Sequence, residues 1–558
     1  MGETKKYCIC HSKVNEKIDR KLKIDDSIQF AGTSNPVGDF MENVSYNQDN
    51  NFIKSILWGA KWKNLPNNEL TWTINYAGAK TNVDVGTNLP LIDPTVATKN
   101  SVRTCMNDLS KIINLNIKEV SDINSAILSF NFIPYESVDY LGFASPPIPT
   151  NDPYYSIDKN YQLLTDSIYC PGNIFIAYNT AMNFNPGSYN YITLVHELGH
   201  AIGLAHPHDN GGNSQVFDGV NTSIDFGNYD ANLQPLTIMT YNDIRSPYVP
   251  NSAINYGFLK TFGPIDIVAL QYMYGKATTN SSNTTYKIPV NTTNSLGNFW
   301  ETIFDSDGID TIDGASISFD LTIDLNDATV ADNTLLAGTA LTSDTKIINK
   351  QTVSNNLYGG FTIAQGVKIE NAITGKGNDN VIGNELNNNI TITEGGSDNI
   401  DGRSGFDTVI INNNSSNFNI EKINDVVKIR YKSNSNVITL VNCEKIEFTN
   451  ETILISEIGI NDYDLFKNVV EYGTIEIDHR WKTINLSKSF SNPIVIVSDP
   501  TYRGKDACVV RIKSVSSTSF SLKLQEPRFN YDGKHTKEQI FYMLANKGIY
   551  TLKNKFLM

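Results

Sequence analysis

The sequence predicts three folded units in series behind an N-terminal tail or propeptide, residues 1–50. These are an α+β domain over 51–275, an all-β parallel β-roll over 276–455, and a C-terminal β-sandwich over 460–558. Three observations carry this reading. Helical and strand-like apolar spacings are mixed between 56 and 275; glycine-aspartate segments recur between 374 and 410, with Asp398 and Asp407 nine apart and Asp379 nineteen from Asp398, one nine-residue turn and then two with a single insertion; short alternating segments fill the end of the chain. At 558 residues the chain is also too long for one core.

The tail is polar and closes on SNPVGDFMENVSYNQDNN, which reads as a propeptide or linker. It has charge but no apolar h-region, so it is not a Sec-type signal peptide, and Lys6 stands where a myristoylation site needs Ser or Thr. Cys8 and Cys10 form a C-x-C that is either a pair of unpaired thiols or a thiolate source able to reach a metal and hold a site latent. The formal charge of -14 argues against nucleic acid as a partner, and no apolar run reaches the roughly 18 residues of a membrane span. Six cysteines do not make a disulfide scaffold; Cys105 and Cys170 could bridge in an oxidising compartment.

In the α+β region, residues 56–78 carry three of the five tryptophans and an alternating strand from Leu70 to Tyr76. Segment 94–118 has helical spacing at Val102, Met106, Leu109, Ile112 and Ile113, and AILSFNFIP and NIFIAYN, 173–179, read as strands. The latter is either an interior strand or one that pairs with an extended peptide.

The stretch TLVHELGHAIGLAHP, 193–207, then contains His196, Glu197, His200, Gly203 and His206 in the pattern H-E-x-x-H-x-x-G-x-x-H. Helical residues four apart differ by about 40° around the axis, so His196 and His200 project toward one point. Glu197 lies about 100° from His196, too far round to be a ligand but able to reach a water beside the ion. Gly203 can leave the helix with positive φ and return His206 as a third ligand. Three neutral nitrogens with an open position describe catalytic rather than structural zinc. The chain has seven histidines, four of them between 196 and 208, which weighs against a chance match.

The pattern is the metzincin signature. Pro207 after the third histidine, Met239 in T-I-M-T-Y, Tyr241 two residues later, FGPIDIVALQYMYG at 262–275 and SILWGAKW near the start of the domain together resemble the serralysin group of bacterial secreted metzincins, over roughly residues 50–410. The resemblance implies a secreted zinc endopeptidase acting on protein or peptide substrates. It places Met239 in a tight turn beneath the histidines and makes Tyr241 a further zinc ligand whose phenol assists the oxyanion. The alternative is a surface or secreted binding protein working through its C-terminal module, with a vestigial protease domain; intact Glu197 and Tyr241 speak against it.

Between 276 and 455 the composition shifts to Asn, Thr, Gly, Ile and Asp. TGKGNDNVI, 374–382, matches the calcium-binding nonapeptide of RTX proteins except for Thr374 in place of the first glycine; TEGGSDNID and GRSGFDTVI follow at 393–401 and 402–410. The candidate calcium residues are Gly375, Gly377, Asp379, Gly396, Asp398, Gly405 and Asp407, with Asp310 in the half-repeat DGIDTID. Each turn should point its apolar residue inward and share Ca²⁺ between stacked carboxylates and glycine carbonyls. Glu394 and Arg403 stand where glycine is usual, and the turn around Asn388 has no aspartate, so few ions are expected.

The final unit alternates in GTIEIDHRWKTINL, PIVIVSDP, VVRIKSV and FSLKLQEP. It resembles β-sandwich accessory modules, some of them lectin-like, of secreted bacterial proteins, which implies a carbohydrate or cell-surface ligand. Trp481, Arg511, Glu526 and His535 either face such a ligand or are structural.

Overall fold

A computed structural model describes residues 41–46, 50–75, 80–84, 87–122, 125–138, 140–147, 171–242, 256–278, 281–289, 299–329, 340–342, 346–348, 351–353, 359–458, 470–501, 503–504, 507–526 and 535–547. They divide into two compact units, residues up to 456 and residues from 457 on. The stretch assigned to the tail is described only at 41–46 and 50, where Met41–Asn43 pairs antiparallel with Ala60–Trp62 and Met41 is buried, so folded structure reaches back past residue 51. Cys8, Cys10 and Cys170 lie outside the described residues, and Cys105 is buried and forms no disulfide among them.

The α+β domain is organised on a five-stranded sheet: β1 (Glu69–Ile74), β2 (Asn116–Glu119), β3 (Leu128–Pro134), β4 (Gly142–Ala144) and β5 (Asn173–Tyr178), in the order β2-β1-β3-β5-β4. The pairs β1–β2, β1–β3 and β3–β5 are parallel, and β4 is antiparallel to β5. Every residue of β5 is buried, the mark of a strand covered on both faces. It is therefore interior, paired on both edges, and among the described strands the outermost position on this side belongs to β4.

Among the described residues this domain has four helices, α1 (Asn51–Ile56), α2 (Val96–Ile112), α3 (Tyr189–Ala201) and α4 (Pro264–Tyr274): α2 and α3 lie against the sheet, and α4 packs with α1 and α2. Thr95 caps α2 by accepting from Thr98 N. The helix stops at Ile112, short of the expected 118, because Ile113 is extended and the chain enters β2. Ser188 caps α3, and every residue from Tyr191 to Ala201 is buried. At its far end, orphan carbonyls are met by side chains: Trp62 Nε1 donates to Ala201 O at 2.9 Å and the Tyr274 hydroxyl to Ile202 O at 2.7 Å. The tryptophan-rich opening and α4 thus clamp the metal-motif helix.

The next segment forms a two-faced coil. On one face, strands 285–287, 311–313, 371–373, 389–392, 408–411 and 445–448 pair in parallel; on the other, 321–324, 380–382, 399–401 and 439–441 do so. Ile312, Ala372, Val381, Ile390, Ile400 and Val409 point inward and are buried. The coil ends in an antiparallel set, 418–423, 426–431 and 437–441, where the glycine-aspartate repeat has run out.

Among its described residues the second unit has two three-stranded antiparallel sheets. One has 538–546 between 470–477 and 493–497; the other has 519–525 between 482–485 and 509–513. Ile477, Ile484, Phe490, Phe520, Leu522, Ile540 and Leu544 form their shared core, as the alternation predicts.

Candidate metal centre

Helix α3 brings His196 and His200 together, and Gly203 turns the chain at φ 106°, a conformation that favours glycine. Space requires glycine there too, since a Cβ would come within 2.5 Å of Ala60 O. His206 returns on the loop, held where Ala205 N donates to Ile56 O and Phe217 N to Pro207 O.

The Nε2 atoms of His196, His200 and His206 form a near-equilateral triangle with sides of 3.1, 3.1 and 3.2 Å. Each ring's other nitrogen faces an acceptor: His196 Nδ1 to Ile238 O at 2.9 Å, His200 Nδ1 to Leu204 O at 2.9 Å, His206 Nδ1 to Asp209 Oδ2 at 2.8 Å. Those acceptors fix the proton on Nδ1, so three Nε2 lone pairs point at one another. Such an arrangement repels unless a cation sits among them. Nitrogens bound to one tetrahedral zinc at about 2.0–2.1 Å stand about 3.3 Å apart, close to the triangle found. Burial lowers the His196 pKa to about 4 and holds that of His200 well below its ordinary value, so both rings are neutral at physiological pH, the form in which imidazole can bind a metal. Tyr241 Oη lies 3.2 Å from His206 Nε2, on the same side as the converging nitrogens.

The floor is fixed from α4. Asp266 accepts from Thr237 Oγ1 and Ile238 N, both at 2.6 Å, and from Gly263 N at 2.8 Å. That pins the turn whose Ile238 carbonyl orients His196. Met239 is fully buried beside α3, and a Cβ on Gly199 would lie 2.6 Å from its sulfur. Glu197 is also fully buried, with its side chain against β4: a Cβ on Gly142 would come within 2.6 Å of both Cγ and Oε1.

No family model matches the chain. Curated relatives include a serralysin of Photorhabdus laumondii, 26% identical over 307 residues, which are 53% of this chain and 54% of that protein. Serralysin B of Dickeya chrysanthemi is 30% identical over 38% of this chain and 40% of its own length. The metallopeptidase AprA of Pseudomonas marginalis is 30% identical over 36% and 39%. The chain is serralysin-like. It spans about half the length of the curated relatives it matches.

Four residues of this serralysin-like centre escape the motif. Asp209 accepts from the His206 ring and Asp266 pins the turn that orients His196, Gly142 makes room for Glu197, and His208 stacks on His206 at 4.8 Å between centroids. Only Asp209, a carboxylate three residues after the third histidine of the motif, carries a readable signal. Substituting it with alanine is expected to weaken zinc binding about 10- to 100-fold, measured by chelator competition, with the fold unchanged.

In the coil, Asp379 and Asp398 lie one full turn apart on one side, and Asn388 and Asp407 on the other. Asp379 N donates to Asp398 Oδ1 at 2.9 Å and Asn388 N to Asp407 Oδ1 at 2.8 Å. Residues nineteen apart are therefore the stacked neighbours, and the nine-residue step crosses to the opposite side. Asn388 fills the missing aspartate's place by donating to Glu370 O and Asn384 Oδ1. Asp310 is buried and accepts from Thr284 N. Close stacking needs the glycines: a Cβ on Gly377, Gly396 or Gly405 would come within 2.4, 1.7 or 2.3 Å of backbone, and one on Gly375 within 2.8 Å of Ile317 O. Arg403 adopts φ 69° where the repeat usually has glycine. The Oδ2 atoms of Asp379, Asp398 and Asp407 are buried with no hydrogen-bond partner among the described residues. Burial raises the pKa of Asp398 to about 7 and those of Asp310, Asp379 and Asp407 to about 6.

The candidate ligand residues of the second unit separate. Glu526 and His535 are buried and joined at 2.9 Å, with Glu538 on the ring's other side at 3.5 Å, so neither faces a ligand. Trp481 and Arg511 are exposed. Among the described residues, no helix is long and apolar enough to cross a membrane.

Proposed function

We propose that the chain is a secreted zinc endopeptidase that cleaves peptide bonds in protein substrates. The observation that carries this is the triangle of three imidazoles whose Nε2 atoms converge while each Nδ1 faces an acceptor. His196, His200 and His206 would hold the ion, with Tyr241 Oη beside it. Zinc bound there would supply Lewis acidity to the scissile carbonyl and acidify an attacking water.

Glu197 Oε1 takes one proton from that water as its oxygen bonds to the carbonyl carbon. The same carboxyl returns the proton to the leaving nitrogen as the C–N bond breaks. Tyr241 Oη donates a hydrogen bond to the carbonyl oxygen, an interaction that strengthens as negative charge builds. Met239 and Asp266 hold the floor on which these groups sit.

Calcium is the second cation this reading includes. The buried Oδ2 atoms of Asp379, Asp398 and Asp407, without a hydrogen-bond partner among the described residues, suit a hard cation. No three side-chain donors in the coil approach within 4.8 Å among the described residues, so most oxygens would come from backbone carbonyls.

A casein assay tests the proposal. Activity should vanish with a strong chelator and return only when zinc and calcium are both restored; activity indifferent to chelation refutes it. The contact of Glu197 with β4 gives a sharper test. In Gly142→Ala the new methyl must displace Glu197 or Thr193, lowering kcat about a hundredfold while zinc content stays at one per chain.

A further inference from the structure

Tyr241 is more than a third exposed, and its ring is bounded by three imidazoles. Centroid separations are 4.4 Å to His208, 4.9 Å to His206 and 5.9 Å to His196. His196 and His206 are already committed as converging ligands, oriented by Ile238 and Asp209. His208 is not one of the converging three. Its ring lies nearly parallel on His206, 13° between planes.

We propose that His208 is a positioning residue for Tyr241: its stacked ring is the wall that keeps the phenol oxygen at the metal centre. The inference rests on the zinc-site reading of the histidine triad. A partly exposed tyrosine has little burial to hold it on its solvent side, so its rotamer is set by the side chains in contact with it. His208 makes the nearest of those ring contacts. Its own placement is inherited from its neighbours: Pro207 restricts the backbone between the two histidines, and Asp209 binds His206 through Oδ2 and accepts from Gly211 N through Oδ1. A chain of contacts thus runs from Asp209 through His206 and His208 to Tyr241.

The test uses full-length protein loaded with copper(II) in place of zinc, because a phenol oxygen bound to copper(II) gives a charge-transfer absorption that imidazoles alone do not. Wild-type protein should bind one copper and show the band, and Tyr241→Phe should bind one copper without it. His208→Ala should still bind one copper, which shows that the triad is folded, with the band reduced to the Tyr241→Phe level. His208→Phe, which keeps a stacked ring, should retain it. A full band in His208→Ala, or loss of the band in His208→Phe as well, overturns the proposal. Failure of wild-type protein to bind copper or zinc refutes the metal-site reading and the proposal with it; one bound copper with no band in wild type refutes the proposal alone.

Discussion

Replacing Glu197 with glutamine is expected to leave one zinc per chain and to lower proteolysis of an unfolded protein by about 10²–10⁴-fold, the usual weight of a positioned acid–base group. Glutamine matches glutamate in size and keeps the packing against Gly142, so the side chain stays where it is. It cannot take a proton from water. Nor does it disturb the three histidines, because residue 197 lies about 100° around α3 from His196 and contributes nothing to the Nε2 triangle. Metal analysis and a casein assay on the same preparation separate the two roles. Activity retained by the variant would falsify Glu197 as the proton carrier.

Removing calcium should produce the second large effect. With the ions bound to the folded coil alone, each site at about a hundredfold excess over its dissociation constant contributes about 2.7 kcal/mol. EGTA is therefore expected to lower the unfolding temperature of the coil, and the loss should depend on pH. Without ions, the folded pKa values of Asp398, about 7, and of Asp310, Asp379 and Asp407, about 6, exceed the ordinary carboxyl value of about 3.9. Groups with a raised folded pKa contribute stability that is fully present below the unfolded value and lost as pH rises through the folded one. The apo coil should thus weaken between about pH 4 and 7, and calcium should protect most above that window. Thermal melts with EGTA and with calcium across that range check it; curves that run parallel contradict the assignment of these carboxylates to calcium.

Much of the centre is legible in the sequence because helical geometry is local. His196, Glu197 and His200 share one turn of α3, Gly203 marks the exit by the φ it alone tolerates, and His206 follows at a fixed distance. The coil is legible for a similar reason: a repeat of glycine and aspartate encodes contacts one turn away. What the sequence hides depends on packing between distant segments. Asp266 reaches the floor because α4 docks its N-terminus under the turn at 237–239, and Gly142 meets Glu197 because β4 folds back antiparallel beside β5. The unbroken apolar run of β5 does reveal an interior strand, once its lack of alternation is given weight over its place before the helix. In the second unit, alternation locates the strands. It does not show that His535 lies buried between Glu526 and Glu538, since inward polar residues interrupt the pattern just as exposed ones do.

The most direct measurement is zinc-edge X-ray absorption on the zinc-loaded protein. Convergence of His196, His200 and His206 predicts three imidazole nitrogens at about 2.0–2.1 Å, completed by oxygen. A shell containing sulfur, or four imidazoles with no oxygen, contradicts it.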